Sequence, residues 1–275
     1  MVIFNMKFKY LIINFLSIFF NYLKISNHCN FRILMLHNIE KRNFQLLENN
    51  LKTLKKNYNF INPNILKKSN YPKGKNNLLI TFDDGFKSNY IFAKTILKKL
   101  KIKGVFFIVT DLINSNNYKK KKLIIKNIFP EKNLSYSSKY NPMSWNDIRK
   151  LQKMGHIIGS HTKSHLRLSD IKSLPNLRNQ IIAPINVFKK NKIKKPIFFA
   201  YSFGNFSSFN KKCFNIAKSK YKFIFSGIRG DNIKSKKIMY RDNIEDNYSL
   251  NMINFFLRGY SDFLYKKYRK IFSSF

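Results

Sequence analysis

Leu78-Leu79-Ile80-Thr81-Phe82 is a largely apolar run that stops abruptly at Asp83-Asp84-Gly85. A short run of this kind reads as a strand buried on both faces, and Gly85 permits a sharp exit from it. The same pattern recurs on either side. Phe31 to Leu36 is an apolar run ending at His37, and Gly104 to Thr110 reads as another buried strand. His156 to Ser160, Ile197 to Tyr201 behind Pro196, and Tyr221 to Ser226 complete the set. Helical spacing fills the gaps: Phe44 to Tyr58, a helix capped by Ser88 and running to about Leu100, Trp145 to about Met154 between Ser144 and Gly155, about Asn176 to Lys190, and Asn210 to Lys218. Strand-then-helix order with doubly buried strands argues for a parallel α/β sheet or barrel. Residues 112–142, with the Lys119–Lys122 run and many Asn and Ser, read as an inserted loop.

The chain has 275 residues, of which 44% are hydrophobic, a length and composition suited to one α/β barrel and not to a disordered or disulfide-stapled chain. Cys29 and Cys213 form neither a zinc-ribbon spacing nor a disulfide framework. The net charge is +40, a field that would attract phosphate-rich partners, including anionic lipid and lipid-linked glycans. Lys is spread over nearly every segment and not gathered in one stripe, so compositional bias explains the charge equally well, and nucleic acid is the less favoured partner.

Three regions follow: an N-terminal apolar segment over 1–27, the main α/β domain over 28–262, and a basic amphipathic tail over 263–275. In the first, Tyr10 to Leu23 is short for a spanning helix and is followed by no small-residue cleavage site. A membrane anchor, an interfacial helix over about residues 8–24 and a helix packed on the domain all fit, so the compartment, envelope or cytoplasmic face, stays open. The tail carries Lys266, Lys267, Arg269 and Lys270 among aromatics, which suits either a lipid surface or a helix docked on the barrel.

Acids are scarce, which makes each informative. Asp83 and Asp84 follow a buried strand, at the end where α/β barrels build active sites. On extended backbone they would point in different directions, one free to hold a cation and the other to take a proton. His161-Thr162-Lys163-Ser164-His165 places two histidines at i and i+4, one face of a helical turn, a spacing suited to a divalent metal. Two histidines and a carboxylate form an open site, in principle for Zn²⁺, Co²⁺, Ni²⁺ or Fe²⁺.

Together, Thr81-Phe82-Asp83-Asp84-Gly85 and His161-Thr162-Lys163-Ser164-His165 closely resemble the polysaccharide deacetylase family, the NodB-homology group of carbohydrate esterases. Trp145-Asn146-Asp147-Ile148 and Gly155 to His161 resemble the approach to the family's second motif. Ala200-Tyr201-Ser202-Phe203-Gly204 is similar to its third, with Ser202 in place of the usual proline. The resemblance implies a deformed (β/α)7-type barrel around a catalytic divalent metal, usually zinc. It implies Asp84, His161 and His165 as metal ligands and Asp83 as general base, in hydrolysis of an N-acetyl group from an amino sugar of a cell-surface polysaccharide or lipid-linked glycan. The backbone N–H of Phe203 would meet the oxyanion, and Tyr201 or Phe203 would wall the acetyl pocket.

Two departures matter. The leucine-x-x-histidine motif common near the family's C-terminus is missing there, but Leu34-Met35-Leu36-His37 has its spacing. A circularly permuted barrel would place His37 as general acid; a site-lining or core histidine is the competing reading. Ala200 stands where the third motif usually has arginine. Arg241 is the candidate to reach in, contacting substrate or holding the base, against the alternative of a surface arginine. Rival functions are a basic membrane- or nucleic-acid-binding protein on a decayed scaffold, and an O-acetyl esterase or other amidase using the same site.

Overall fold

The computed structural model describes residues 6–22, 29–67, 74, 76–130, 140–232 and 238–275. The strands are β1 (Phe31–Leu36), β2 (Asn59–Phe60), β3 (Asn77–Phe82), β4 (Gly104–Ile108), β5 (Ile157–Ser160), β6 (Phe198–Ala200), β7 (Phe223–Phe225) and β8 (Asp242–Asn243). All pair in parallel, in the order β7-β6-β5-β4-β3-β1-β8 with β2 beside β3. Met239, just before β8, bridges Phe225 of β7, so the sheet curls into a deformed barrel whose edges meet at this bridge. The expected α/β barrel is therefore present.

Side chains sort by strand parity. Ile33, Leu79, Val105, Phe107, Ala200 and Phe225 share an inner cluster. Leu34, Ile80, Phe82, Phe106 and Ile158 face a larger cluster completed by helices. Those helices include α2 (Phe44–Asn57), α4 (Lys87–Phe92) and α7 (Trp145–Lys153). Gly159 is required inside: a Cβ there would come within 2.5 Å of the Phe107 ring.

Local chemistry sets the helix ends. Ser144 and Asp147 form a reciprocal capping box at α7, and Gly155 leaves it at φ 86°. The helix expected over 176–190 is two, α8 (Leu174–Ile182) and α9 (Pro184–Lys190), because Pro184 has no N–H to continue the first. Ser88 is not a cap. It sits within α4, where its hydroxyl donates to Asn38 and accepts from the N–H of Ile39, pinning the chain just after His37. The inserted loop expected over 112–142 contains α5 (Thr110–Asn114) and α6 (Tyr118–Ile128), with 131–139 outside the described residues. Ile124, Ile125 and Ile128 bury one face of α6, while its lysine run lies over the same turns. A short helix α3 (Asn64–Lys67) follows β2, and α10 (Lys211–Lys218), capped by Asn210, precedes β7.

Helix α1 (Met6–Tyr22) packs on α11 (Leu250–Leu257), with Ile13 and Leu16 against the larger cluster. The tail forms the 3-10 turn Asp262–Tyr265 and α12 (Lys266–Ser273), which buries Phe272 beside Phe209. Among the described residues, no helix is long and apolar enough to cross a membrane.

Candidate active site

The register brings the site together. Leu36 pairs with Phe82, and the N–H of Asp83 donates to the Leu36 carbonyl at 2.9 Å, so His37 and Asp83 leave adjacent strands side by side. Neighbouring β4 and β5 run parallel, and the N–H of His161 donates to the Ile108 carbonyl at 3.0 Å. The third-motif turn follows β6.

Asp83 and Asp84 do not diverge as extended backbone would require. Asp83 points inward by strand parity with Leu79, and the left-handed turn, with Asp84 at φ 74° and Gly85 at φ 96°, brings the Asp84 carboxylate to the same side. Asp83 Oδ2 and Asp84 Oδ1 each stand 3.6 Å from His161 Nε2, and Asp84 Oδ1 stands 3.5 Å from His165 Nε2. The two histidines are not on a helical turn either. They occupy an irregular loop in which Thr162 and His165 have φ 64° and 57°. This loop, not i,i+4 helical spacing, converges their rings.

The donor set fits a divalent cation. One atom each from Asp84, His161 and His165 lies within 4.8 Å of the others, and all three residues are buried. Among the described residues, neither oxygen of Asp84 has a hydrogen-bond partner, an arrangement that burial makes unfavourable for a carboxylate without a counter-charge. Burial pushes the Asp84 carboxyl above its usual range, opposed by the charges of His37 and His161. His161 Nδ1 faces the Ala200 carbonyl at 2.9 Å and His165 Nδ1 the Asn127 carbonyl at 3.3 Å. A neutral ring donating from Nδ1 leaves the Nε2 lone pair free to ligate. Burial, reinforced by the charge of His161, holds His165 well below the ordinary imidazole range, which favours that neutral form.

Asp83 has the opposite environment. Burial would raise its carboxyl, but Arg241 and His161 outweigh this and hold it below the usual range. Arg241 donates from Nη1 to Oδ1 at 2.7 Å and from Nη2 to Oδ2 at 2.9 Å, a fork-to-fork pair. Its Nε donates to the Ser226 carbonyl at 2.8 Å, and its side chain is 1% exposed. Arg241 is thus neither a surface arginine nor free to bind substrate. It supplies the charge that Ala200 cannot. On the other face of β8, Asp242 meets Arg32 in a second buried pair, with Oδ2 2.8 Å from Nε and Oδ1 2.6 Å from Nη2. Arg32 also donates to Asp262 at 2.7 Å.

His37 is half-buried and follows β1 directly, beside Asp83 at the end of β3, and a positive charge on it would lower both carboxyls. Phe203 stands at φ 61°, with its ring 4.8 Å from that of His165 and under the Arg167 guanidinium at 4.7 Å. Among the described residues its N–H donates to no backbone carbonyl. Gly204 is irreplaceable in this turn: at φ 64°, a Cβ would fall 2.4 Å from the N of Gly227. Tyr201 does not wall the site. Strand parity points it with Phe199 to the helix side, fully buried and stacked 3.8 Å from Phe209.

The support of the His161–His165 loop was not apparent from sequence. Asn127 of α6 orients His165 and donates to the Ser164 carbonyl at 2.8 Å. The Ser164 hydroxyl donates to Asp111 at 2.5 Å, and Gln180 accepts from the Ser164 N–H at 3.0 Å. The hydroxyls of Thr162 and Ser202 meet at 3.2 Å, and Thr162 accepts from the His165 N–H at 3.1 Å. Two signals were available: the apolar spacing of α6, and Asp111 as a rare acid just past an apolar strand.

Comparison with known proteins places this architecture. No curated protein sequence matches the chain. Among solved structures, the Streptococcus pyogenes deacetylase PplD, in complex with acetate, superposes with a TM-score of 0.62 at 16% identity, covering 84% of this chain and 98% of that one. IcaB from Ammonifex degensii gives 0.64 at 17%, covering 84% and 98%, and the BpsB deacetylase domain from Bordetella bronchiseptica gives 0.64 at 16%, covering 78% and 96%. These likenesses establish the fold. Residues 70–221, more than half of the chain, match the polysaccharide deacetylase family. The chain therefore belongs to the polysaccharide deacetylases, hydrolases that act on carbon–nitrogen bonds other than peptide bonds.

Proposed function

We propose that the chain removes the N-acetyl group from an amino sugar of a cell-surface polysaccharide or lipid-linked glycan, releasing acetate, with a divalent metal held by Asp84, His161 and His165. Zn²⁺ suits two imidazoles and a carboxylate with room left for solvent. The observation that carries the reading is the contrast between adjacent acids: Asp84 buried with both oxygens unpartnered, Asp83 buried but clamped by Arg241.

A bound metal supplies polarisation of the acetyl carbonyl and acidifies water. The remaining work falls to this chain. Asp83, ionised and fixed, accepts the proton of the attacking water, a role worth about 10²–10⁴-fold. The Phe203 N–H donates to the carbonyl oxygen as negative charge gathers there. His37 delivers a proton to the departing sugar nitrogen, without which the amine is a poor leaving group. The Phe203 ring, against His165, excludes water from one side of the acetyl methyl.

The test is acetate release from a panel of N-acetylhexosamine glycans, after chelation and after Zn²⁺ is returned. Chelation should abolish release and Zn²⁺ restore it; Asp83→Asn should abolish it and His37→Ala depress it strongly. Metal-loaded protein that releases no acetate from any member would overturn the reading. A His37→Ala variant with full turnover would remove His37 as the acid.

A further inference from the structure

Helix α1 has two apolar sides, and the fold uses only one. Ile13 and Leu16 face the core, while Leu11, Phe15 and Ile18 recur at i, i+4 and i+7 on the opposite side, flanked by Ile12. Leu11 is 62% exposed, Phe15 70% and Ile18 53%. A soluble monomer seldom leaves such a continuous apolar stripe in water. The chain shows the same combination a second time, past the end of α11, the helix on which α1 rests. Phe263 and Leu264 are 72% and 61% exposed, and Lys266, Lys267 and Lys270 follow them, also exposed.

Charge decides what can cover these surfaces. The chain carries 53 Lys and Arg against 13 Asp and Glu. A second copy would carry the same net charge of +40, so the two would repel each other as they approached. Nucleic acid would satisfy the lysines and could stack on Phe15 or Phe263, but offers no apolar volume in which to bury Leu11, Ile18 and Leu264. An anionic bilayer satisfies both, taking apolar side chains below its headgroups and drawing lysines to its surface. The helix does not cross: its 17 residues span about 25 Å, and its inner side is committed to α11.

We propose that the outer face of α1, with the Phe263–Lys270 stretch, docks the protein in the plane of an anionic lipid surface. The contact stands independently of the acetyl chemistry. It leaves α1 parallel to the membrane and the barrel in water.

The test uses the full chain and sedimented vesicles of phosphatidylcholine, alone or with one third phosphatidylglycerol. The wild type should pellet with the anionic vesicles, and added salt should weaken binding. Phe15→Ser with Ile18→Ser should reduce partitioning by more than about tenfold, since two large apolar side chains no longer leave water. Phe15→Leu with Ile18→Leu should retain it. Replacing Lys266, Lys267 and Lys270 by Gln should remove the preference for anionic lipid. Circular dichroism and Zn²⁺ content unchanged in the serine variant would show that the barrel is intact. Wild type left in the supernatant, serine and leucine variants that pellet alike, or a dimer that the serine variant turns into a monomer would each overturn the proposal.

Discussion

Arg241 and Asp83, 158 positions apart in the chain, meet as a bidentate pair with both side chains 1% exposed. The pair keeps an acid ionised where burial alone would neutralise it. Arg241→Met should therefore raise the Asp83 pKa. The acidic limb of the kcat/KM profile should move to higher pH, and activity at neutral pH should fall by about 10²-fold or more. A limb that stays in place while activity falls would reduce Arg241 to a packing role.

The metal role proposed for Asp84 can be tested apart from fold stability. Asp84→Asn should lose Zn²⁺, and Asn tolerates the left-handed turn at this position. With free Zn²⁺ at a hundred times Kd, wild type should gain about 2.7 kcal/mol and the variant little. In chelator, the variant should melt no lower than wild type, because it removes a buried carboxylate that has no hydrogen-bond partner among the described residues. Thermal unfolding with and without Zn²⁺ measures both effects.

His156 gives the fold a pH limit outside the site. Its Nδ1 accepts from the Gly104 N–H at 3.1 Å, and burial, with the charge of Lys103, lowers its pKa to about 4. The unfolded chain, near 6.5, then binds the extra proton first as pH falls. Stability should decline between 6.5 and about 4, by about 1.4 kcal/mol per unit, and level off below. His156→Asn, which keeps an acceptor and cannot titrate, should flatten that part of the curve in urea titrations across pH.

Arg32 neutralises Asp242 and Asp262 on the side of β8 away from the site. Arg32→Met leaves buried Asp242 with only the longer contact to Arg229 at 3.4 Å, a loss of up to about 3–5 kcal/mol. Adding Asp242→Asn should recover part of it. Equal unfolding midpoints for wild type and Arg32→Met would show that the cluster contributes nothing net.

The sequence makes the barrel legible because each doubly buried strand is a short apolar run ended by a polar turn, and strand ends are where the site gathers. The Asp83–Asp84 pair and the two histidines are legible by type and spacing, and the family resemblance singles out Asp84 as the ligand, but the reason for their convergence is not visible. Left-handed turns at Asp84, Thr162 and His165 carry no strong signal at non-glycine residues. Tyr201 was misplaced because one step of strand parity decides between site and core, and a motif does not reveal where extended backbone ends. The support from α6 was obscured because its lysines share turns with the isoleucines that bury it.

Asp84, Thr162, His165 and Phe203 all hold positive φ, a conformation costing a side-chain-bearing residue about 1–2 kcal/mol. The barrel carries that load, so its heat tolerance and its turnover draw on one reserve. Breeding this protein for endurance alone would favour glycine or relaxed turns at these four positions, and the hardiest descendants would be the first to fall silent.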